Sequence, residues 1–181
     1  MKITQNLPLP NLAALVCDAC LKCGIDVVLS GGACVSIYTE NQYASFDLDF
    51  VLRTPVTRKR IRTTMGGLGY REDGRHFRHS ENPYLVEFLS PPLSVGEEPV
   101  REIKEIQSGK MTLRLLSPTD CVKDRLAAFY HWNDRRSLDQ AVLVSTKEDV
   151  DLSEVRRWSL NEGIKDKYDL FRRRLTKALR K

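Results

Sequence analysis

The segment SFDLDFVL, residues 45–52, alternates polar and apolar residues with a period of two. This alternation predicts a β-strand, because successive side chains of a strand point to opposite faces of its sheet. Asp47 and Asp49 would then project from the same face, with Cα atoms about 6.5 to 7 Å apart. Phe46, Leu48 and Phe50 would point the other way, into a core.

The two aspartates form a candidate metal site. Neighbouring carboxylates repel each other unless a cation lies between them. Mg²⁺ suits such a pair, because it binds hard oxygen ligands from one or two carboxylates together with substrate phosphates. The alternative is a half-exposed strand whose acidic face is solvated. The pair alone leaves both interpretations open.

A glycine pair, Gly31-Gly32, lies between a predicted strand over residues 25–30 and a predicted helix over residues 33–39. Backbone N–H groups and the positive end of the helix dipole at such a junction can hold a phosphate. The alternative is an ordinary turn, in which glycine is the usual residue.

Glu87 is an acidic residue within the apolar segment YLVEFLS, residues 84–90, which predicts another strand. Its neighbours on the same face would be Leu85 and Leu89. A carboxylate on such a face is unfavourable unless it is paired or coordinated. Glu87 is therefore a candidate third metal ligand, or a base for an attacking hydroxyl. The alternative is a glutamate on an edge strand that faces water.

The remaining pattern predicts strands interspersed with helices and then helices alone. Ser117 as N-cap and Pro118 at the first helical position begin a helix that runs to about residue 131. Other helices are expected over residues 11–24, 57–65, 134–144, 152–160 and 165–179, and other strands over 75–78 and 111–116. This order predicts an α+β fold, a small mixed β-sheet flanked by helices with a C-terminal helical cap. We expect a catalytic core over residues 1–116 and a helical region with a basic tail over residues 117–181.

Together these motifs resemble the DNA polymerase beta-like nucleotidyltransferase superfamily. The matching segments are LSGG (29–32), SFDLDF (45–50), VEFL (86–89) and LSPTDCVKDRLAAF (116–129). The glycine and aspartate motifs are similar to those of small bacterial and archaeal members, namely the abortive-infection toxin type and the minimal nucleotidyltransferases of toxin–antitoxin pairs. The resemblance covers roughly residues 25–145.

The resemblance implies a nucleotidyltransferase-like fold and a metal-dependent transfer of a nucleoside monophosphate from a triphosphate such as ATP, with release of pyrophosphate. Two Mg²⁺ ions, with Mn²⁺ as a substitute, would be held by Asp47, Asp49 and Glu87, about 3.5 to 4 Å apart as in other two-metal sites. The nucleotide would contact Gly31, Gly32, Ser36, Ser45, Lys123 and Arg125. A competing interpretation is a degenerate fold that only binds nucleotide or nucleic acid, as an antitoxin-like module.

The chain has 181 residues and a formal net charge of +5. Residues 151–181 hold ten basic and five acidic residues, so the excess lies in this basic tail. A localised excess favours contact with a polyanion, and we expect an RNA such as tRNA, or a protein hydroxyl, as acceptor. The alternatives are that the tail is a solvated helix face, or that the protein only binds nucleic acid and its acidic residues are structural.

A basic cluster precedes the strand that contains Glu87 and consists of Arg75, His76, Arg78 and His79. It would contact the triphosphate or the acceptor, or form a solvated hairpin.

Cys17, Cys20 and Cys23 recur every third residue, on roughly one side of the first predicted helix. This spacing favours core cysteines; the alternative, a zinc or iron–sulfur site, usually needs a fourth ligand. No apolar stretch approaches the roughly 20 residues of a membrane span. The N-terminus also lacks the pattern of a signal peptide. We therefore expect a cytoplasmic protein with no membrane partner.

Overall fold

The computed structural model describes residues 2–180, which form seven α-helices and nine β-strands. The helices are α1 (Leu9–Lys22), α2 (Gly31–Tyr38), α3 (Arg58–Gly67), α4 (Pro118–Trp132), α5 (Arg135–Lys147), α6 (Leu152–Asn161) and α7 (Lys165–Ala178). The strands are β1 (Val27–Ser30), β2 (Asp47–Leu52), β3 (Arg71–Asp73), β4 (His76–His79), β5 (Asn82–Leu89), β6 (Ser94–Val95), β7 (Glu98–Pro99), β8 (Ile103–Ser108) and β9 (Met111–Leu116).

Seven of the strands form one mixed sheet in the order β3-β4-β5-β2-β1-β9-β8, and β6 pairs with β7 in a separate ribbon. β2 runs antiparallel to β1 and parallel to β5, so the strand that carries both aspartates has a partner on each side. β1 also pairs in parallel with β9, which leads directly into α4. The predicted α+β class, with a mixed sheet flanked by helices, is confirmed.

The core lies between this sheet and its helices. All four residues of β1 are buried, and Leu48 and Phe50 of β2 are fully buried, as their alternation predicted. Phe46 was expected in the same core, and that prediction is wrong, because its side chain is 64% exposed. Phe46 precedes the first residue of β2 and stacks on Tyr84, with ring centroids 6.2 Å apart, so it lies beyond the covered part of the sheet.

The four helices after β9 form the predicted C-terminal cap. Ser117 caps α4 by accepting a hydrogen bond from the amide of Asp120 at 3.2 Å, as expected for this position. Trp158 of α6 is fully buried, and its indole N–H donates to the Val95 carbonyl oxygen at 3.2 Å. The cap and the sheet share one cluster of buried apolar residues, and the division at residue 117 stays a prediction.

Several elements differ from their predicted bounds. α2 begins at Gly31 rather than at residue 33, and α3 continues through Gly66-Gly67 instead of ending before them. Four strands, β3, β6, β7 and β8, lie in polar stretches for which no strand was predicted. β8 is an edge strand with an irregular burial pattern, so its residues lack the period-two signal of β2.

Candidate active site

The three acidic side chains meet on two neighbouring strands. Asp47 and Asp49 lie on the same face of β2, with Asp47 exposed and Asp49 half-buried. In the parallel pairing of β2 with β5, Asp49 lies directly opposite Glu87, so these two side chains also share a face. The predicted convergence of a strand pair of aspartates with Glu87 is therefore present in the fold.

Gly31 lies against this carboxylate cluster. Its φ of +69° is left-handed, a conformation that favours glycine. A Cβ added at this position would lie 2.7 Å from Oδ2 of Asp49, so a side chain would also collide with the aspartate. The hydroxyl of Ser30 donates to the Asp49 backbone oxygen at 3.2 Å and joins the two strands at this point. The start of α2 is thus held next to the second aspartate.

Ser36 and Ser45 connect α2 to the segment that enters β2. The Ser36 hydroxyl donates to the Gly32 carbonyl oxygen at 3.3 Å and accepts from the Ser45 amide at 2.9 Å. The Ser45 hydroxyl in turn donates to the Asp47 backbone oxygen at 3.1 Å. Both predicted nucleotide-binding hydroxyls therefore brace the glycine turn against the aspartate strand. Ser36 is buried, whereas Ser45 is only half-buried.

The electrostatics of the site centre on Asp49. Burial, and then the nearby charges of Glu87 and Asp47, raise the pKa of Asp49 to about 6. The positive charge of Arg125 opposes this rise in pKa. The guanidinium of Arg125 is therefore close enough to Asp49 to act on its carboxylate electrostatically. A cluster of carboxylates with too little positive charge around it is suited to binding a cation.

Glu87 is held by two residues of the neighbouring hairpin. Its Oε2 lies 3.3 Å from Nε2 of His76 and 3.5 Å from Nε of Arg75, and its side chain is only 16% exposed. His76 is also the residue opposite Glu87 in the pairing of β4 with β5. Within residues 2–180, no three His, Cys, Asp or Glu side chains already surround a common point. The carboxylates share a face, but their oxygens are not gathered into one ligand sphere.

The two basic residues predicted on α4 have different environments. Arg125 forms hydrogen bonds to Oδ2 of Asp124, at 2.9 Å through Nε, and approaches Oε1 of Gln140 at 3.5 Å. It is the one of the two whose charge acts on Asp49. Asp124 was not predicted as a site residue, although its charge also acts on Asp49 and its carboxylate holds this guanidinium.

Lys123 lies on another side of α4. Its Nζ is 2.9 Å from Oδ1 of Asp120 and 3.2 Å from Oε1 of Glu154, and 7% of its side chain is exposed. It lines a cleft of about 670 Å³ between α4, α6 and the segment that contains β7. None of the three carboxylates, Asp47, Asp49 and Glu87, lines that cleft, so the structure does not bring Lys123 to them.

The other predicted clusters separate in the structure. Arg75 and His76 contact Glu87, whereas Nε of Arg78 pairs with Oδ2 of Asp73 at 2.5 Å and His79 packs edge-on against Tyr70. The role of this hairpin in holding Glu87 was not predicted, because the register of β4 and β5 cannot be deduced from composition.

The three cysteines of the triplet have different environments. Cys17 and Cys20 are fully buried, whereas Cys23 is exposed at the end of α1. Burial raises the pKa of Cys17 to about 11 and that of Cys20 to about 12. The described residues contain no metal-binding group around them. Core packing, the favoured interpretation, agrees with these positions for Cys17 and Cys20.

No family model matches this chain, and neither does any curated protein. Among solved structures, an antigenic nucleotidyltransferase-like protein from Paracoccidioides brasiliensis aligns over 92% of each chain, with a TM-score of 0.61 and 13% identity. The solution structure of the antibiotic-resistance factor ANT(2'')-Ia covers 95% of this chain and 96% of its own, with a TM-score of 0.48 and 14% identity. A crystal structure of ANT(2'')-Ia in complex with adenylyl-2''-tobramycin covers 90% and 98%, with a TM-score of 0.46 and 14% identity. The first of these likenesses shows that the α+β fold described above is nucleotidyltransferase-like.

Proposed function

We propose that this protein is a nucleotidyltransferase that transfers a nucleoside monophosphate from a nucleoside triphosphate to a hydroxyl of a macromolecule and releases pyrophosphate. The observation that carries the proposal is the register of β2 and β5, which sets Asp49 opposite Glu87 with Asp47 on the same face. The contact between the start of α2 and Asp49 adds a phosphate-binding element at the same position.

The donor set fits Mg²⁺, because three carboxylates on adjacent strands provide hard oxygen ligands, and burial together with the charges of Glu87 and Asp47 raises the pKa of Asp49. Asp47, Asp49 and Glu87 would hold two such ions. When bound, the ions would neutralise triphosphate charge and make an acceptor hydroxyl more acidic.

The chain's own residues would perform the remaining tasks. The amides at Gly31 and Gly32, at the positive end of α2, would orient the triphosphate. Arg125, held by Asp124, would add positive charge beside Asp49. Arg75 and His76 would supply further positive charge or hydrogen bonds at the Glu87 end of the site. Catalysis would consist of positioning and electrostatic stabilisation, as in phosphoryl transfer generally.

We further propose that the protein belongs to the small toxin–antitoxin type of nucleotidyltransferase, with ATP as a nucleotide donor. The similarity of its glycine and aspartate motifs to that type supports the assignment. An RNA such as tRNA is the favoured acceptor, because the positive charge of the chain is concentrated in its last 31 residues, 151–181. A protein hydroxyl is the other acceptor that the same chemistry would accept.

The test is transfer of label from α-phosphate-labelled nucleoside triphosphates into a cell lysate, in the presence of Mg²⁺. We expect labelled RNA with the wild-type protein and a loss of about 10³-fold or more with Asp47→Asn/Asp49→Asn, which keeps side-chain size but removes both charges. Asp73→Asn, an exposed acid of β3, is the matched control and should retain activity. Equal labelling by the wild-type protein and the double variant would show that the mechanism is wrong.

Two observations favour a second candidate function. Arg75 and His76 both contact the carboxylate of Glu87, and no preformed metal-binding group exists among residues 2–180. These features would suit a degenerate fold that binds nucleotide or nucleic acid without catalysis. That candidate predicts nucleotide binding with equal affinity in EDTA and in Mg²⁺, whereas the catalytic proposal predicts binding that depends on the metal and on both aspartates.

A further inference from the structure

The basic tail divides into residues with intramolecular partners and residues without them. Four of its basic side chains are engaged within the chain. Arg157 pairs with Glu98 and Glu154, Lys165 pairs with Asp169 at 2.8 Å, Lys167 donates to the backbone oxygens of Phe129 and Tyr130, and Arg174 pairs with Asp139. Arg157, Lys167 and Arg174 join different parts of the chain, whereas the Lys165 pair lies within α7; all four charges already have an intramolecular partner.

Four of the five remaining cations in the described part of the tail lie together. Arg172, Arg173, Lys177 and Arg180 form no ion pair with any residue in the range 2–180, and with Thr176 they line a shallow groove of about 430 Å³. Spacings of three and four residues, as between Lys177 and Arg180 and between Arg173 and Lys177, place side chains on one side of a helix. We call this surface the α7 basic face. Arg156 of α6 likewise forms no ion pair within residues 2–180. The charges of Arg156 and Arg172 both oppose the rise that burial causes in the pKa of Tyr168, so Arg156 extends the positively charged region beyond α7.

The apolar side of α7 is already used. Tyr168, Phe171 and Leu175 are buried against the rest of the cap, because α7 packs on α5 and α6. A helix that lies in a membrane interface needs its apolar side free to enter the lipid. Leu179, in the turn after α7, is 63% exposed, but it is a single apolar side chain and provides no apolar face that could enter a lipid surface. The α7 basic face therefore suits a flexible or helical polyphosphate better than a lipid surface.

The dimensions of the face also suit a polynucleotide. Arg172 and Lys177 are five residue steps apart on α7, or about 7.5 Å along the helix axis, and Arg180 follows in the turn after Ala178. The helical part alone corresponds to roughly two to three phosphates of one nucleic-acid strand. A single small anion would use only part of it.

The position of α7 restricts which ligand could reach both it and the carboxylates. α7 contacts α5, and α5 contacts α2 and α4, so a helix layer lies between the basic face and the site. One such layer adds about 8–10 Å. A small acceptor at Asp49 would not contact α7, whereas a folded RNA is large enough to contact both.

We propose that the α7 basic face binds the phosphate backbone of RNA and docks the acceptor of the transfer reaction. The inference deepens the proposed function, on which it rests for the identification of the RNA as acceptor. The binding step uses neither nucleotide nor metal, and it involves none of the three carboxylates.

The test measures binding of the full chain to a fluorescein-labelled single-stranded RNA by anisotropy, in EDTA and at several salt concentrations. Arg172→Gln/Arg173→Gln/Lys177→Gln should weaken binding by on the order of tenfold or more. It should also reduce the slope of log affinity against log salt by about 2, since each phosphate contact on a single strand contributes about 0.7. The matched control is Lys59→Gln/Lys104→Gln/Lys110→Gln, which removes the same charge from exposed lysines of α3 and the β8–β9 hairpin.

We expect the control variant to bind within about twofold of the wild-type protein, because its lysines lie outside the docking surface. Equal weakening by the two triple variants, or absence of RNA binding by the wild-type protein at low salt, would overturn the proposal. So would tighter binding of the wild-type protein to anionic lipid vesicles than to RNA. The Asp47→Asn/Asp49→Asn variant should bind RNA like the wild-type protein, so a failure of the catalytic proposal is distinguishable from a failure of this one.

Discussion

At the scale of single residues, Gly31 combines two constraints at one position. Its backbone is left-handed, and its Cα faces Oδ2 of Asp49 so closely that no side chain can be added without movement of the aspartate. Each constraint alone would favour glycine. Together they link the start of α2 to the aspartate strand, so the geometry of the glycine turn and that of the carboxylates are not independent.

Gly31→Ala is therefore expected to lower the free energy of unfolding by about 1–3 kcal/mol, from left-handed strain plus the contact with Asp49. Urea denaturation followed by circular dichroism measures this. Gly66→Ala is the matched control, because it lies within α3 and an added Cβ there would meet nothing within 4 Å. The control should be stabilised by roughly 0.5–1 kcal/mol. A Gly31→Ala variant whose free energy of unfolding equals that of the wild type would contradict the geometry described for the turn.

Asp49 should make the protein less stable as pH rises. Its folded pKa of about 6 lies above the ordinary value of an unfolded aspartate, so the folded state binds more protons between about pH 4 and pH 6. Stability is then lost as pH rises through this window. In EDTA at pH 8, Asp49→Asn should raise the free energy of unfolding, by on the order of 2 kcal/mol.

The measurement is urea denaturation of both proteins at pH 4 and pH 8 in EDTA. The difference in the free energy of unfolding between variant and wild type should be small at pH 4, where Asp49 is largely protonated, and large at pH 8. A destabilised Asp49→Asn variant at pH 8 would mean that the carboxylate is compensated by charges other than those described. Addition of Mg²⁺ should stabilise the wild-type protein and not the variant.

At the scale of elements, α1 illustrates how a helix distributes similar residues between environments. Cys17, Cys20 and Cys23 occur at steps of three residues, and the last of them lies just past the end of the helix. The sequence predicted their common side correctly for the two buried residues. It could not predict the exposure of Cys23, because the last turn of a helix extends beyond the surface that covers the rest.

We expect iodoacetamide at pH 8 to modify Cys23 rapidly in the native protein. Cys17 and Cys20 should react at least about 10²-fold more slowly, because burial blocks access and their raised pKa values reduce the thiolate fraction. Mass spectrometry of proteolytic peptides follows each residue separately, and denatured protein is the control in which all three should react. Equal native rates would contradict the burial of α1.

The aspartate strand was predictable because alternation within one strand is a local property. The pairing of Asp49 with Glu87 was not, because register depends on contacts between strands that are distant in the sequence. The same limit applies to α4. Lys123 and Arg125 are two residues apart, about 200° around a helix, so they could not both face the carboxylates. Their spacing alone did not decide which of them would do so.

At the scale of the whole molecule, the cap and the sheet share apolar packing. Val122 and Leu126 of α4 are fully buried in the same cluster as the sheet residues, and the Tyr38 hydroxyl donates to the Leu116 oxygen at 2.6 Å where the sheet ends. The order of elements predicted a sheet with a helical cap. The degree to which they are joined could not be predicted, because it depends on which helix faces are covered by residues far away in the chain.

This shared packing predicts a single unfolding transition. Urea unfolding followed by tryptophan fluorescence, which reports on Trp132 and Trp158 in the cap, should coincide with unfolding followed by far-ultraviolet circular dichroism, which reports on all elements. Two separated transitions would instead support a division of the chain near residue 117. The Trp132→Phe variant assigns the fluorescence change to Trp158, since Trp132 is exposed.

The order of the sheet has a consequence for how such a protein diverges. The acidic residues lie on β2 and β5, which are flanked on both sides, while β3 and β8 form the two borders. Insertions, deletions or additional strands at either border leave the spacing of the three carboxylates unchanged. Related chains can therefore differ at the margins of the sheet while these side chains keep their positions.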